Sequence, residues 1–240
     1  MQSSEDLGNT FGRSWQLLSS NWNIIIPAIV LGIIGGVLQH IIGAMFINGG
    51  AAVGSFGAVI LGGFLLLAIA TIIQILTIGF TTGMGIAAWR TGRTNISDGS
   101  AVFANAGAVQ TIVLWMVIGV ILALIPVLGW LADIVLFFLL IYAVPAAVVS
   151  GEGAGAAFGE SVNIITRNFI PTLIIVLLIF CIGFVGAIVG TAISFVPYLG
   201  KIVAMIIQES IIAYGTLVIC GEYLKVRTAV GVPPSATPPG

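Results

Sequence analysis

An all-α, polytopic transmembrane helical bundle is the fold class that this sequence predicts, and three observations predict it. Charged residues make up only 6% of the 240 residues and hydrophobic ones 59%, whereas a soluble domain carries about 25% charged residues. Too few charges remain to build a water-facing surface, so most of the outside must face lipid. The apolar runs are continuous for about 20 residues, the length of a membrane-crossing helix, where barrel strands alternate over about 10. Finally, Phe11–Trp22 and Phe158–Phe169 carry Phe, Gly, Ser and Asn at the same places, 147 residues apart.

On a helix, Phe11, Trp15, Leu18 and Trp22 fall on one face, as do Phe158, Val162, Ile165 and Phe169. An amphipathic helix directly ahead of a long apolar run lies in the membrane interface. These eight side chains are the expected interfacial anchors.

Taken in order, Ser3 and Ser4 ahead of Glu5 and Asp6 predict a helix start, with acids near the positive end of the dipole. That helix runs to about Ser20. Asn21 and Asn23 flank Trp22 at the depth of an aromatic belt. The first span is roughly Ile24–Phe46, with Pro27 in the first turn, where a missing N–H costs little. A glycine-rich loop from Asn48 to Gly57 follows. The second apolar run, Ala58–Trp89, would measure about 48 Å at about 1.5 Å per residue, against a core of about 30 Å. It must tilt, project at its start, or break at Gly62-Gly63.

Arg90 and Arg93 close that run. The polar link Asn95–Phe103 holds a helix start at Ser97 or Asp98. The third span is roughly Val109–Ile125, Pro126-Val-Leu-Gly129 makes a tight turn, and the fourth span ends near Val149. A flexible link, Ser150–Gly155, leads to the second amphipathic stretch. Spans five and six, Ile170–Phe195 and Leu199–Tyr223, are joined by Pro197-Tyr-Leu-Gly200, which matches the earlier turn in form. Residues 231–240 are Pro-rich and expected to be disordered.

The expected organisation is a single membrane domain, residues 1–230, with six spans in three tandem hairpins, about 10–93, 94–150 and 151–227. Each unit has two spans, so all three share one orientation. The second unit has a degraded amphipathic start, with Phe103 its one large apolar anchor. Arg13, Arg90, Arg93, Arg167, Lys225 and Arg227 fall on one side of such a topology and Lys201 on the other. That asymmetry predicts cytoplasmic termini in a cell membrane. The acidic start, Met-Gln-Ser-Ser-Glu-Asp, argues against a cleaved signal peptide.

A net charge of −1 leaves no basic surface for nucleic acid. Membrane lipid is the expected partner, with a membrane-protein partner or a second copy beside it. Cys181 and Cys220 sit in apolar runs as small hydrophobes, without metal-ligand spacing. The lone His40 has no second ligand to hold a haem, so no cofactor or metal is expected. Gly-x-Ser-x-Gly, His-Glu-x-x-His and phosphate-loop motifs are missing, and Ser161, beside Glu160, has no histidine for a triad.

Glu209 is the sharpest candidate for an intramembrane polar site. It lies about 15 Å into the sixth span, where a carboxylate costs at least about 2.5–3.5 kcal/mol and so must face the bundle interior, be neutral or be paired. Gln208 is its neighbour. Asp133 and Lys201, just past the two equivalent turns, could pair if adjacent hairpins touch. Gln74 reads as a helix-to-helix hydrogen bonder, and Gly79-Phe-Thr-Thr-Gly83 and Gly186-Ala-Ile-Val-Gly190 as faces for close helix approach.

Tyr142-Ala-Val-Pro-Ala-Ala-Val-Val-Ser-Gly-Glu-Gly-Ala-Gly-Ala-Ala-Phe-Gly-Glu-Ser161, followed by Asn163 and Arg167-Asn168-Phe169, resembles a group of prokaryotic six-helix membrane proteins of unknown function. That group includes the membrane domain attached to some glycerophosphodiester phosphodiesterases. Ala157 and Ser161 match its Ala-x-x-x-Ser spacing, and Phe11–Trp22 and Pro197-Tyr-Leu-Gly200 resemble its N-terminal stretch and late turn. The resemblance covers most of residues 10–227. It implies the fold and carries no catalytic residue, because the phosphodiesterase domain is absent from this sequence.

The expected function is therefore that of a non-enzymatic membrane protein, a scaffold or accessory subunit organising lipid or a membrane-protein partner. The alternative is a small transporter or channel subunit built around Glu209. The topology is testable by fusing reporters after residue 230 and into the 126–129 turn. The first should be active only as a cytoplasmic reporter and the second only as an external one; the reverse pattern would invert the assignment.

Overall fold

The computed structural model describes residues 4–49, 54–123, 125, 128–196 and 199–229. All regular structure among them is helical. In chain order the elements are α1 (Ser4–Ser20), a 3-10 turn (Trp22–Ile24), α2 (Ile25–Ile42) continuing into a π-helical segment (Gly43–Asn48), and α3 (Phe56–Thr91). Next come α4 (Ile96–Ser100) with a 3-10 turn (Ala101–Ala104), α5 (Ala106–Ala123), α6 (Leu128–Leu140) and α7 (Ala143–Ser150). The last are α8 (Ala154–Arg167), α9 (Phe169–Ser194) and α10 (Leu199–Ala229). Among the described residues five helices are long and apolar enough to cross a membrane, and up to six if Ile96–Ala104 and Ala106–Leu122, bent by 85°, count as one. This is the build of a multi-pass membrane protein. The expected disordered tail, the loop centre at 50–53 and the Pro–x pairs of both turns, 126–127 and 197–198, lie outside the described residues.

α2 packs on α3, α5 on α6, and α9 on α10. The short helix that leads into each pair lies against the helix that closed the pair before it: α4 on α3, and α8 on α7. α1 completes the pattern by packing on α10. The closing helices α3, α7 and α10 also touch one another. The buried core lies where these lead-in and closing helices meet, around Leu17, Leu18, Ile24, Met84 and Trp89, and around Tyr142, Ile165 and Tyr223. We call this the basic end, because Arg13, Arg90, Lys225 and Arg227 gather there. Toward the other end the helices present apolar side chains outward, Val37, Phe64, Phe184 and Phe195 among them.

α3 is one helix of 36 residues, so Gly62-Gly63 is not a break. Its C-terminal third is buried, and its glycines serve the fold. A side chain at Gly79 would collide with the Phe103 ring, and one at Gly83 with Val102 and the backbone of Asp98 and Gly99. Phe103 is thereby seated on α3 and stacked on Phe80, with ring centroids 5.4 Å apart, rather than serving only as an outward anchor. Gly186 and Gly190 likewise face Ile211 and Ala204 of α10. The fourth helix start falls at Ile96, earlier than Ser97 or Asp98, because Asp98 acts as a capping acid: its Oδ2 accepts the Asn95 N–H at 2.8 Å.

Each lead-in helix turns into its long helix at an asparagine. Asn21 and Asn168 have nearly the same backbone angles, φ −129°, ψ 54° and φ −128°, ψ 44°. The Asn21 N–H donates to Leu17 and Leu18 carbonyls, and the Asn168 N–H to Ile164 and Ile165 carbonyls. Each side-chain amide donates back into its own helix, to Leu17 at 3.0 Å and Ile164 at 3.2 Å. Asn105 makes the third corner. Its Oδ1 accepts the Ala108 N–H at 3.1 Å, and its Nδ2 donates to the Ala147 carbonyl at 3.2 Å.

The expected fourth span is not a continuous helix. It opens at Ile141–Tyr142 because Pro145 lacks an N–H and its ring crowds the carbonyl four residues back. Ser161 of α8 repairs the opening: its Oγ donates to the Leu139 carbonyl at 2.8 Å and accepts the Tyr142 N–H at 3.2 Å. Ala157 and Ser161 are both fully buried, which gives their four-residue spacing a packing reason. The residue corresponding to Ser161 in α1, Ser14, is equally buried, but its hydroxyl has no partner among the described residues.

At the other end the two turns share their flanking geometry. Ile125 N–H donates to Leu122 and Gly129 N–H to Ile125; Val196 N–H donates to Ile193 and Gly200 N–H to Val196. A side chain at Gly129 or Gly200 would collide with the carbonyl of Leu122 or Ile193, so both turns require glycine.

The two serines give a paired test. Ser161→Ala leaves two buried backbone groups unpaired and should destabilise the fold by about 1–3 kcal/mol. Ser14→Ala removes an unpartnered buried hydroxyl and should leave stability unchanged or raised. Thermal unfolding in one detergent checks both, and equal losses would refute the repair role of Ser161.

Candidate functional site

Glycine and tryptophan build the site. Trp89, at the end of α3, lies flat on α10 because Gly221 has no side chain: a Cβ there would collide with the indole. The indole Nε1 donates to the Leu217 carbonyl at 2.7 Å, which fixes the ring. α1 then brings Arg13 over its face, with the guanidinium carbon 4.6 Å from the ring centroid. Arg13 Nη2 also donates to the Trp89 carbonyl at 3.2 Å. A cation over a tryptophan face is stabilised by the ring quadrupole.

Around this stack opens a cavity of about 420 Å³, lined by Arg13, Trp89, Arg90, Val149, Leu224, Lys225 and Arg227 among others. Four of the chain's seven basic residues line it. Carboxylates hold its rim in place. Glu160 of α8 accepts the Tyr223 hydroxyl at 2.8 Å and lies 3.8 Å from Arg227 Nε. Glu222 accepts from Thr10 Oγ1 at 3.3 Å, and Lys225 Nζ donates to the same Thr10 oxygen at 2.5 Å. Arg227 is only 8% exposed, and its Nη1 has no hydrogen-bond partner among the described residues. The arrangement concentrates positive charge beside the apolar side chains of Trp89, Val149 and Leu224.

Of the predicted polar candidates, Glu209 and Asp133 face different helices. Glu209 is half-buried on α10, its Oε2 has no hydrogen-bond partner among the described residues, and its carboxyl lies against Gly32 of α2. Gln208 is exposed. Asp133 lies against Gly119 of α5, and the side chain of Lys201 lies outside the described residues. Neither described cavity is lined by any of the four. His40 and Gln74 are exposed on α2 and α3. Cys220 is buried, but Cys181 is exposed, because its face of α9 turns away from the other helices.

The eight expected anchors divide. Trp15, Trp22, Val162 and Phe169 are exposed, and Phe11 and Phe158 are half-buried. Leu18 and Ile165 instead join the protein core, since each lead-in helix must also hold a closing helix. Tyr214 of α10 receives both Phe11 and Trp15, with ring centroids 6.4 and 6.2 Å away.

Sequence reasoning missed the cavity. In the sequence Arg13, Arg90, Lys225 and Arg227 read only as topology signals, Glu160 only as a neighbour of Ser161, and Glu222 carries no signal of its own. One signal was present: Glu222-Tyr-Leu-Lys-Val-Arg227 sets an acid, an aromatic and two bases in the last turns of an apolar helix. Comparison with family models, with curated proteins and with solved structures finds no match.

Trp89→Ala should cost about 3–5 kcal/mol, through a lost aromatic side chain and the hole it leaves. Thermal unfolding measures it; a loss below 1 kcal/mol would show that the Arg13–Trp89 stack does not organise this end.

Proposed function

We propose that this chain is a non-enzymatic scaffold or accessory protein of the cell membrane that organises lipid at its cytoplasmic face. In this reading six spans form three hairpins, successive copies of one unit. The recurring asparagine corners and the matched Gly129 and Gly200 turns support that repeat. The lead-in helices lie in the cytoplasmic interface, supported by the exposed Trp15 and Trp22, since tryptophan concentrates at that depth. Both termini then sit on the cytoplasmic side, where anionic lipid attracts each nearby basic residue by about 1 kcal/mol. The prokaryotic six-helix group named above remains the proposed family.

One observation carries the reading: the chain's converging charged groups line a cavity at the basic end, while Glu209 lines neither described cavity. A transport path needs polar groups along its length, and Glu209 and Asp133 lie against different helices, α2 and α5. The test is reconstitution into liposomes with a pH-sensitive dye, using wild type and Glu209→Gln. Proton flux should equal that of protein-free liposomes in both. Flux present in wild type and lost in Glu209→Gln would overturn the scaffold reading in favour of a transporter.

A further inference from the structure

We infer that the basic cavity is a binding site for the phosphate of an anionic lipid, and that it prefers a phosphomonoester headgroup such as that of phosphatidic acid. The inference rests on the lipid-organising reading above and names the ligand of that site.

Charge and burial point the same way. Arg13, Arg90, Lys225 and Arg227 line the cavity. Among the described side chains, the acids that face these elements are Glu160, paired to Arg227, and Glu222, linked to Lys225 through Thr10. Those four cations against these two carboxylates leave two positive charges among the described side chains. A phosphomonoester carries about −1.5 to −2 charges at pH 7, and so matches this excess better than a singly charged phosphodiester. Arg227 adds directional chemistry. Its guanidinium is more than nine-tenths buried; Glu160 lies 3.8 Å from Nε as an ion pair, and neither Nε nor Nη1 has a hydrogen-bond partner among the described residues. A buried guanidinium donor without an acceptor is costly, and a phosphate oxygen is its natural partner.

The apolar part of the cavity selects lipid over free phosphate. Trp89, Val149, Gly221 and Leu224 also line it, and such apolar surface favours a ligand whose phosphate is attached to hydrocarbon. The site also lies beside α1, whose Trp15 and Trp22 are exposed. A headgroup held there keeps its acyl chains in the adjoining leaflet. Basic pockets between helices on the cytoplasmic side suit phosphorylated lipid headgroups for this reason.

The experiment uses the full chain in nanodiscs of phosphatidylcholine doped with either phosphatidic acid or phosphatidylglycerol, followed by native mass spectrometry of retained lipid. Wild type should retain one phosphatidic acid per chain, at least tenfold more often than phosphatidylglycerol. Arg227→Gln should reduce retention at least tenfold. Because that change also disturbs the Glu160 pair, Arg90→Gln, at an exposed cavity residue, serves as the second variant and should reduce retention at least threefold. Arg93→Gln and Arg167→Gln, outside the cavity, should leave retention unchanged. Equal retention of the two lipids, or indifference to both cavity variants, would overturn the site. Inorganic phosphate or glycerol 3-phosphate at millimolar concentration should fail to displace the lipid; displacement would mean a soluble phosphate site instead. Conversion of the retained lipid to a product of different mass would overturn the non-enzymatic reading while leaving the site standing. Loss of the site without conversion or flux would leave the scaffold reading intact.

Discussion

A backbone amide or carbonyl in hydrocarbon has no water to bond, and that constraint governs how this chain can bend. Each unsatisfied group costs several kcal/mol, so every departure from a straight helix must be repaired from within the protein. Asn21, Asn105 and Asn168 repair the three corners, and Ser161 repairs the opening that Pro145 forces in the α6–α7 helix. The lead-in helices supply these side chains. They are amphipathic in two senses at once: one part of the stripe meets the surroundings through Trp15 and Phe169, and the rest enters the core through Leu18 and Ile165.

The cavity follows from the same repairs. Asn21 ties α1 to the loop after α3, through Nδ2 to the Gly92 carbonyl at 3.1 Å and Oδ1 from the Thr94 N–H at 3.1 Å. Asn23 adds a bond to the Thr94 carbonyl at 2.6 Å. That loop can turn because Gly92 takes a left-handed conformation, φ 79°. With α1 fixed to the end of α3, Arg13 has little choice but to lie on Trp89, and Thr10 meets Glu222 and Lys225 of α10. The charge cluster is thus a by-product of ring closure that has acquired a shape of its own.

Much of the fold is legible in the sequence because lipid imposes a crude filter on composition. Apolar length locates the long helices to within a few residues, as at Phe56–Thr91 against an expected Ala58–Trp89. The Phe–Gly–Ser–Asn recurrence locates two of the corners. Asn105 escaped notice because its lead-in helix is short and its flanking residues differ from those of Asn21 and Asn168. The break before Pro145 is not legible within a span expected to run on to about Val149, since the compensating group, Ser161, lies 19 residues from Tyr142. The cavity was illegible for a stronger reason. Arg13 meets Trp89 across 76 positions and Thr10 meets Glu222 across 212, and no periodicity in one segment reports a contact with another so distant.

Closure of the ring has a consequence for the making of the protein. α4 and α8 each find their seat on a helix synthesised just before them, but α1 packs on α10, which emerges about two hundred residues later. Throughout that interval α1 carries Leu7, Leu17 and Leu18 with no α10 to cover them, and the membrane surface is the natural place for such a helix to wait. Under the proposed interfacial placement of α1, the exposed face bearing Trp15 and Trp22 would have a role in time as well as in space: it would hold the first half of a joint at one depth until the second half arrives, making the completing step a search in two dimensions rather than three.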